Sequence, residues 1–324
     1  MKKINAILYV IIALLYLNTS SLLAEESQAS TDNNNSESRS PQESDQEYVL
    51  PKPQASRIES LKSTLTLRQL DHQIQTLEAN GESFLTLYNP SLTRSTEGCV
   101  ILLHSDNEHP DWPDAIGPLR NALPEHSWCT LAIEVPDIIK RAAPVQTSPS
   151  ENSNNQESTG LPNQANVFAR VEAAMNRART DGIEQFVLLG YKTGASYALA
   201  FLAENPEAGE ALILIDIESP TALSDYTNAQ KIRQISKPTL DYYVNNNGSE
   251  RFALWRKQAA NQRTESDISY IQIDAIPDRV TGKNSKQLLI QRVRGFLKQN
   301  TTQITQQKQL PNIKKGLFYK SPVE

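Results

Sequence analysis

F-V-L-L-G-Y-K-T-G-A-S-Y-A-L-A-F, residues 186–201, decides how the chain is read. Four apolar residues (186–189) run into a turn bracketed by Gly190 and Gly194, and an Ala/Leu-rich stretch follows. That is a strand, a sharp turn and a helix. Gly190-Tyr191-Lys192-Thr193-Gly194 has the layout of G-x-S-x-G, which lifts its middle residue above a sheet for attack on a carbonyl. Here the middle residue is Lys192.

Outward from this turn, continuous apolar runs at residues 99–103, 130–135, 211–215, 239–244 and 270–273 read as strands covered on both faces. Segments 115–123, 167–179, 195–204, 252–262 and 285–298 between them have helical spacing. Alternating strands and helices predict an α/β fold, a mostly parallel doubly wound sheet with helices on both faces. Its strand ends, and any site, then share one edge. Upstream, residues 73–77 and 84–88 flank Asn80-Gly81, the strongest short hairpin signal, so an antiparallel pair opens the sheet. A modest amphipathic helix is expected over residues 57–71.

The remainder of the 324 residues divides by composition. Met1-Lys2-Lys3, an apolar run over residues 4–17 and a polar shoulder predict a signal peptide at 1–24 and hence export to the periplasm. The alternative is an inner-membrane anchor left uncleaved, because Leu22 suits the cleavage rule poorly. No other run has the roughly 20 apolar residues needed to cross a bilayer, so no span is expected in the mature chain. Residues 25–56 are a polar linker, about 143–166 a low-complexity insertion and 300–324 a polar tail, all expected to be disordered around a folded domain at 57–299. The net charge of −5, becoming −7 without the signal segment, and the lack of a basic patch in the domain argue against nucleic acid as a partner.

Cys99 and Cys129, the two cysteines of the chain, each open an apolar run. Neighbouring strands lie about 4.8 Å apart, within reach of a disulfide if the two residues are level. They read either as a disulfide or as inert buried thiols.

A serine hydrolase with this turn needs a carboxylate after a later strand and a histidine after the last one. All four histidines (His72, His104, His109 and His126) precede the turn, and Asn245-Asn246-Asn247 stand where the acid would follow residues 239–244. No catalytic residue is therefore assigned. The turn still combines Lys192 with the N–H groups of a helix start, a place suited to a small anionic ligand. The loop after the first parallel strand holds His104, Asp106, Glu108, His109 and Asp111 within eight residues. Imidazole and carboxylate are ordinary metal ligands, but no helical His-x-x-x-His spacing is present. A rigid loop, fixed by Pro110, Trp112 and Pro113, is the alternative. No cofactor or metal is expected. The candidate binding edge is His104, Ser105, Asp106, His109, Asp111, Tyr191, Lys192, Thr193 and Asn245.

Several segments carry a family resemblance: E-A-N-G-E-S-F-L-T-L-Y (78–88), H-P-D-W-P (109–113), P-L-R-N-A-L-P (118–124), W-C-T-L-A-I-E-V-P (128–136), G-Y-K-T-G-A (190–195) and R-V-R-G-F-L (292–297). Together they resemble the bacterial family called domain of unknown function 3530, which is grouped with α/β-hydrolases. The resemblance spans residues 57–298. It implies the α/β-hydrolase fold and a Gram-negative envelope setting, with no established substrate. Two functions follow as expectations: a non-catalytic protein that holds a small anionic ligand or an envelope protein, or an esterase-like hydrolase with an unconventional site.

Overall fold

A computed structural model describes residues 53–138, 160–220, 223–244, 249–264, 268–277, 282 and 285–303. The expected signal segment, the linker up to residue 52, most of the insertion and nearly all of the tail lie outside the described residues. Pro53, Gln54, Ala55 and Ser56, which the sequence reading gave to the disordered linker, instead open the first helix, where Gln54 donates to Glu134 Oε1 at 2.6 Å. Gln164, Ala165 and Asn166, which the sequence reading gave to the insertion, form the first turn of a helix.

The elements in chain order are α1 (Pro53–Leu67), β1 (Ile74–Ala79), β2 (Glu82–Asn89), β3 (Gly98–Leu103), α2 (Ile116–Ala122), β4 (Trp128–Ile133), α3 (Gln164–Thr180), β5 (Phe186–Tyr191), α4 (Thr193–Glu204), β6 (Ala211–Ile215), α5 (Asp225–Gln230), β7 (Thr239–Val244), α6 (Ser249–Ala260), β8 (Tyr270–Ala275) and α7 (Lys286–Asn300). The eight strands form one sheet in the order β1-β2-β4-β3-β5-β6-β7-β8. β2 runs antiparallel to both β1 and β4, and the remaining pairs are parallel. At the hairpin, Asn80 (φ 53°) and Gly81 (φ 76°) take the two left-handed positions of a two-residue turn between Ala79 and Glu82, as Asn-Gly predicts.

The unbroken apolar runs are explained by the two cores. Cys99, Ile101 and Leu103 of β3 point into one, with Val167, Val171 and Met175 of α3 and Ala198 and Phe201 of α4. Val100 and Leu102 point into the other, with Leu61 and Leu65 of α1, Leu119 of α2 and Val293 and Phe296 of α7. Each strand of the sheet centre thus meets helices on both faces. α5 was not expected, because D-Y-T-N-A-Q is short and has no apolar period; Ser224 caps it by accepting from the Thr227 N–H.

β3 and β4 are parallel neighbours with Cys99 directly opposite Cys129, and the two sulfurs are bonded. The bond closes a loop of sequence separation 30 between the strands on which the sheet is built.

Candidate functional site

The turn after β5 has the geometry that its glycines imply. Lys192 sits at φ 52°, ψ −119°, a conformation that side chains with a Cβ rarely adopt and that costs about 1–3 kcal/mol. Two close approaches hold it there. A Cβ on Gly190 would run into the backbone of Ala195, and one on Gly194 into the carbonyl oxygens of Leu103 and His104. The start of α4 is thereby pressed against the end of β3, and Lys192 stands above the sheet as an elbow residue does.

Hydrogen bonds tie the elbow to both neighbouring strand ends. The Lys192 N–H donates to the Ile215 carbonyl at 2.9 Å, and the Lys192 carbonyl accepts from the Glu218 N–H at 3.2 Å. Ser196, fully buried in α4, donates its hydroxyl to the Glu218 carbonyl at 2.7 Å and accepts from Asn228 of α5 at 2.7 Å. Ser196 is therefore a clamp on the loop after β6, with no open face for nucleophilic work.

In a working elbow enzyme the N–H of the residue after the nucleophile and one from the loop after β3 bind the oxyanion. In this protein the loop donors are taken by the chain's own side chains. The Ser105 N–H donates to Glu108 Oε2 at 3.1 Å, and the Asp106 N–H donates to Thr193 Oγ1 at 2.8 Å. The hydroxyls of Ser105 and Thr193 are 3.1 Å apart. Glu108 is 7% exposed, and burial pushes its carboxyl up to about 7, against the pull of the Ser105 N–H and the Lys192 charge.

The Lys192 side chain is 35% accessible, and its Nζ lies 3.4 Å from Glu218 Oε1. Tyr191 beneath it is held well above the usual phenol range, first by burial and then by the charges of Glu108, Asp114, Asp216 and Glu218. The surroundings of the elbow are thus acidic. A small anion arriving at the start of α4 would meet Glu218 on Lys192 and Glu108 on the Ser105 N–H.

The edge expected from sequence divides accordingly. Ser105, Asp106, Tyr191, Lys192 and Thr193 come together at the elbow, while Asn245 lies outside the described residues. His104 does not face the edge. It is fully buried, its Nε2 accepts from the Val135 N–H at 2.9 Å, and its Nδ1–H therefore faces the Ser105 carbonyl at 2.7 Å. Burial lowers its imidazole to about 3, so it remains neutral and joins the ends of β3 and β4. Asp111 is engaged by the fully buried guanidinium of Arg120, at 3.1 Å from Nε and 2.7 Å from Nη2. His109 accepts from the Asp111 N–H at 3.2 Å and packs edge-on against Trp112. Both side chains brace the loop. Among the described residues no three His, Cys, Asp or Glu side chains gather as a metal site.

Sequence reasoning left two site residues off the edge, Glu108 and Glu218. Glu108 was visible as one of several acids in the loop, but its bond to Ser105 depends on how the loop folds back. Glu218 arrives from beyond β6, and no local pattern links it to the elbow.

No curated protein matches the chain. Among solved structures, it resembles a dienelactone hydrolase from Anabaena variabilis ATCC 29413, with 15% identity, 71% of this chain and 100% of the other covered, and a TM-score of 0.51. It also matches Est1E from Butyrivibrio proteoclasticus (11% identity, 69% and 97% covered, TM-score 0.47) and a soluble variant of monoglyceride lipase from Saccharomyces cerevisiae (13%, 69% and 93%, 0.46). At such identities the first likeness shows the α/β-hydrolase fold alone. The family model for protein of unknown function DUF3530 matches residues 7–299, and the chain belongs to that family.

Proposed function

We propose that this chain is an exported protein of the Gram-negative envelope that uses an α/β-hydrolase scaffold to hold a ligand or partner at the strand-end edge, without cleaving esters. The observation that carries the reading is the closed elbow. Lys192 replaces the hydroxyl nucleophile and is ion-paired with Glu218, and both loop N–H groups are engaged by Glu108 and Thr193. An ammonium in an ion pair has no lone pair to attack with, and no histidine follows the elbow to act as base. Export is supported by the signal-like pattern of residues 1–24 and by the Cys99–Cys129 bond, which suits an oxidising compartment.

A second reading, a hydrolase with an unconventional site, is favoured by one feature: the strained backbone at Lys192, because such strain gathers at functional sites. A panel of nitrophenyl esters with a serine-reactive phosphonate probe separates the two. The binding reading expects no turnover and no labelling; ester turnover that disappears in Lys192→Ala would refute it. Cell fractionation with the intact N-terminus tests export, and recovery of the protein in the cytoplasm would contradict it.

A further inference from the structure

At the opposite end of the parallel strands, where β3 and β5 begin, a cleft of about 420 Å³ opens between the segment leaving β2 and the turn entering β5. Tyr88, Pro90, Glu97, Asp181, Ile183 and Glu184 are among its walls. One of them is chemically incomplete. Glu97 is 9% exposed, and its Oε2 is shut off from solvent without a hydrogen-bond partner among the described residues. No described cation pairs with Glu97. The nearby guanidinium of Arg177 is committed to Asp181 at 2.8 Å and lies over the Tyr88 ring. Burial raises the Glu97 carboxyl above its ordinary range, as expected for a charge taken from water with nothing to offset it.

The backbone around Glu97 is fixed. Its N–H donates to the Ser127 carbonyl at 2.7 Å, and the Cys99 N–H donates to the Gln185 carbonyl at 2.8 Å. Gly98 between them has no room for a Cβ, which would strike Gln185 and the Trp128 ring. The disulfide pins β3 to β4 one residue further on. The main chain that carries Glu97 is therefore held on both sides at the mouth of the cleft.

We propose that this cleft binds a small organic cation, a primary ammonium or guanidinium on a short apolar body, with Glu97 as its counter-ion. The site is separate from the elbow, a strand's length of roughly 20 Å away, and does not depend on how the elbow is read. An organic cation fits better than a bare metal ion for two reasons. The cleft is of the size that takes a small molecule, with Pro90, Ile183 and the Tyr88 ring for the apolar part. A metal would require several oxygen or nitrogen ligands together, and no such group exists among the described residues. The exposed carboxylate of Glu184 on the rim adds to the attraction of a cation towards the opening.

The test uses the full, oxidised chain and n-butylammonium and n-butylguanidinium as probes, with 1-butanol and butyrate as controls, followed through the amide shifts of Gly98, Ile183 and Gln185. The cations are expected to saturate these shifts, with 1-butanol binding at least tenfold more weakly, and the tighter of the two cations identifies the head group. Glu97→Gln is expected to weaken cation binding at least tenfold without lowering the melting temperature, since a neutral amide of the same shape removes an unpaired buried charge. Glu97→Asp, which keeps the charge, should retain measurable binding. Equal shifts from 1-butanol, or unchanged cation binding in Glu97→Gln, would overturn the proposal. If Glu97→Gln fails to fold, the comparison of cation with alcohol on the unmodified chain decides by itself.

Discussion

The two ends of the central strands differ in how a buried carboxylate is partnered. At the elbow, Glu108 sits on the Ser105 N–H, Thr193 on the Asp106 N–H, Lys192 on Glu218 and Ser196 on the Glu218 carbonyl. At the opposite end Glu97 is buried and keeps an oxygen without a partner. Loop N–H groups already engaged from within have little to gain from a substrate oxygen, whereas an unpaired buried carboxylate gains whenever a cation arrives. Likeness of fold would direct attention to the elbow. The unpaired carboxylate of Glu97 directs it to the other end as well.

The comparison is best broken at the elbow's framework. Gly194→Ala sets a Cβ against the carbonyls of Leu103 and His104, neither of which can move without shifting β3. It should cost about 3 kcal/mol or more in urea unfolding. A loss within about 0.5 kcal/mol would mean that the elbow is not held by that contact. Next in size is the covalent link beside the Glu97 cleft. Reducing Cys99–Cys129, or replacing both residues by Ala, should remove about 2–4 kcal/mol, read as a lower unfolding midpoint with and without reductant.

A third experiment sharpens the contrast through pH. Glu108 has a folded pKa raised to about 7 from 4.5, so the folded state holds the proton more tightly. Its contribution to stability is present in full below about pH 4.5 and is lost as pH rises through 7. Glu108→Gln should therefore gain on the parent chain between pH 5 and pH 8, by about 1–3 kcal/mol. His104 acts in the opposite direction on the acid side. Its folded pKa of about 3 lies below 6.5, so stability falls from pH 6.5 towards pH 3 by up to about 1.4 kcal/mol per unit. A stability difference between Glu108→Gln and the parent that is independent of pH would contradict the buried placement of Glu108.

The smallest effect belongs to the residue at the centre of the turn. Lys192→Ala removes an ion pair between two half-exposed side chains and keeps the same strained backbone, so its stability should change by less than about 0.5 kcal/mol. A larger loss would show Lys192 to be structural.

Much of the fold was legible because it depends on local pattern. Buried parallel strands need unbroken apolar runs such as Val-Ile-Leu-Leu at 100–103, and Asn80-Gly81 fixes a two-residue hairpin whatever surrounds it. The elbow was legible because Gly190 and Gly194 are required by close backbone contacts at a fixed spacing. What depends on register or on long-range packing was not. Nothing local says that Cys99 lies level with Cys129, so the thiol pair stayed open until the pairing of β3 with β4 placed them side by side. Asp111 and His109 read as edge residues since the partner of Asp111, Arg120, is a charged residue on a short helix with no sign that it is buried. The isolation of Glu97 was not legible, because it arises where the segment before β3 meets the turn before β5.

The most direct test of the closed elbow is a pH titration of the Ser105 amide by NMR, in the parent chain and in Glu108→Gln. If the Glu108 carboxylate occupies the place of a substrate oxygen, the Ser105 amide shift should titrate with a midpoint near 7, and Glu108→Gln should abolish that titration. A Ser105 amide that stays unchanged from pH 5 to pH 9 in the parent chain would leave its N–H open to a substrate and contradict the account.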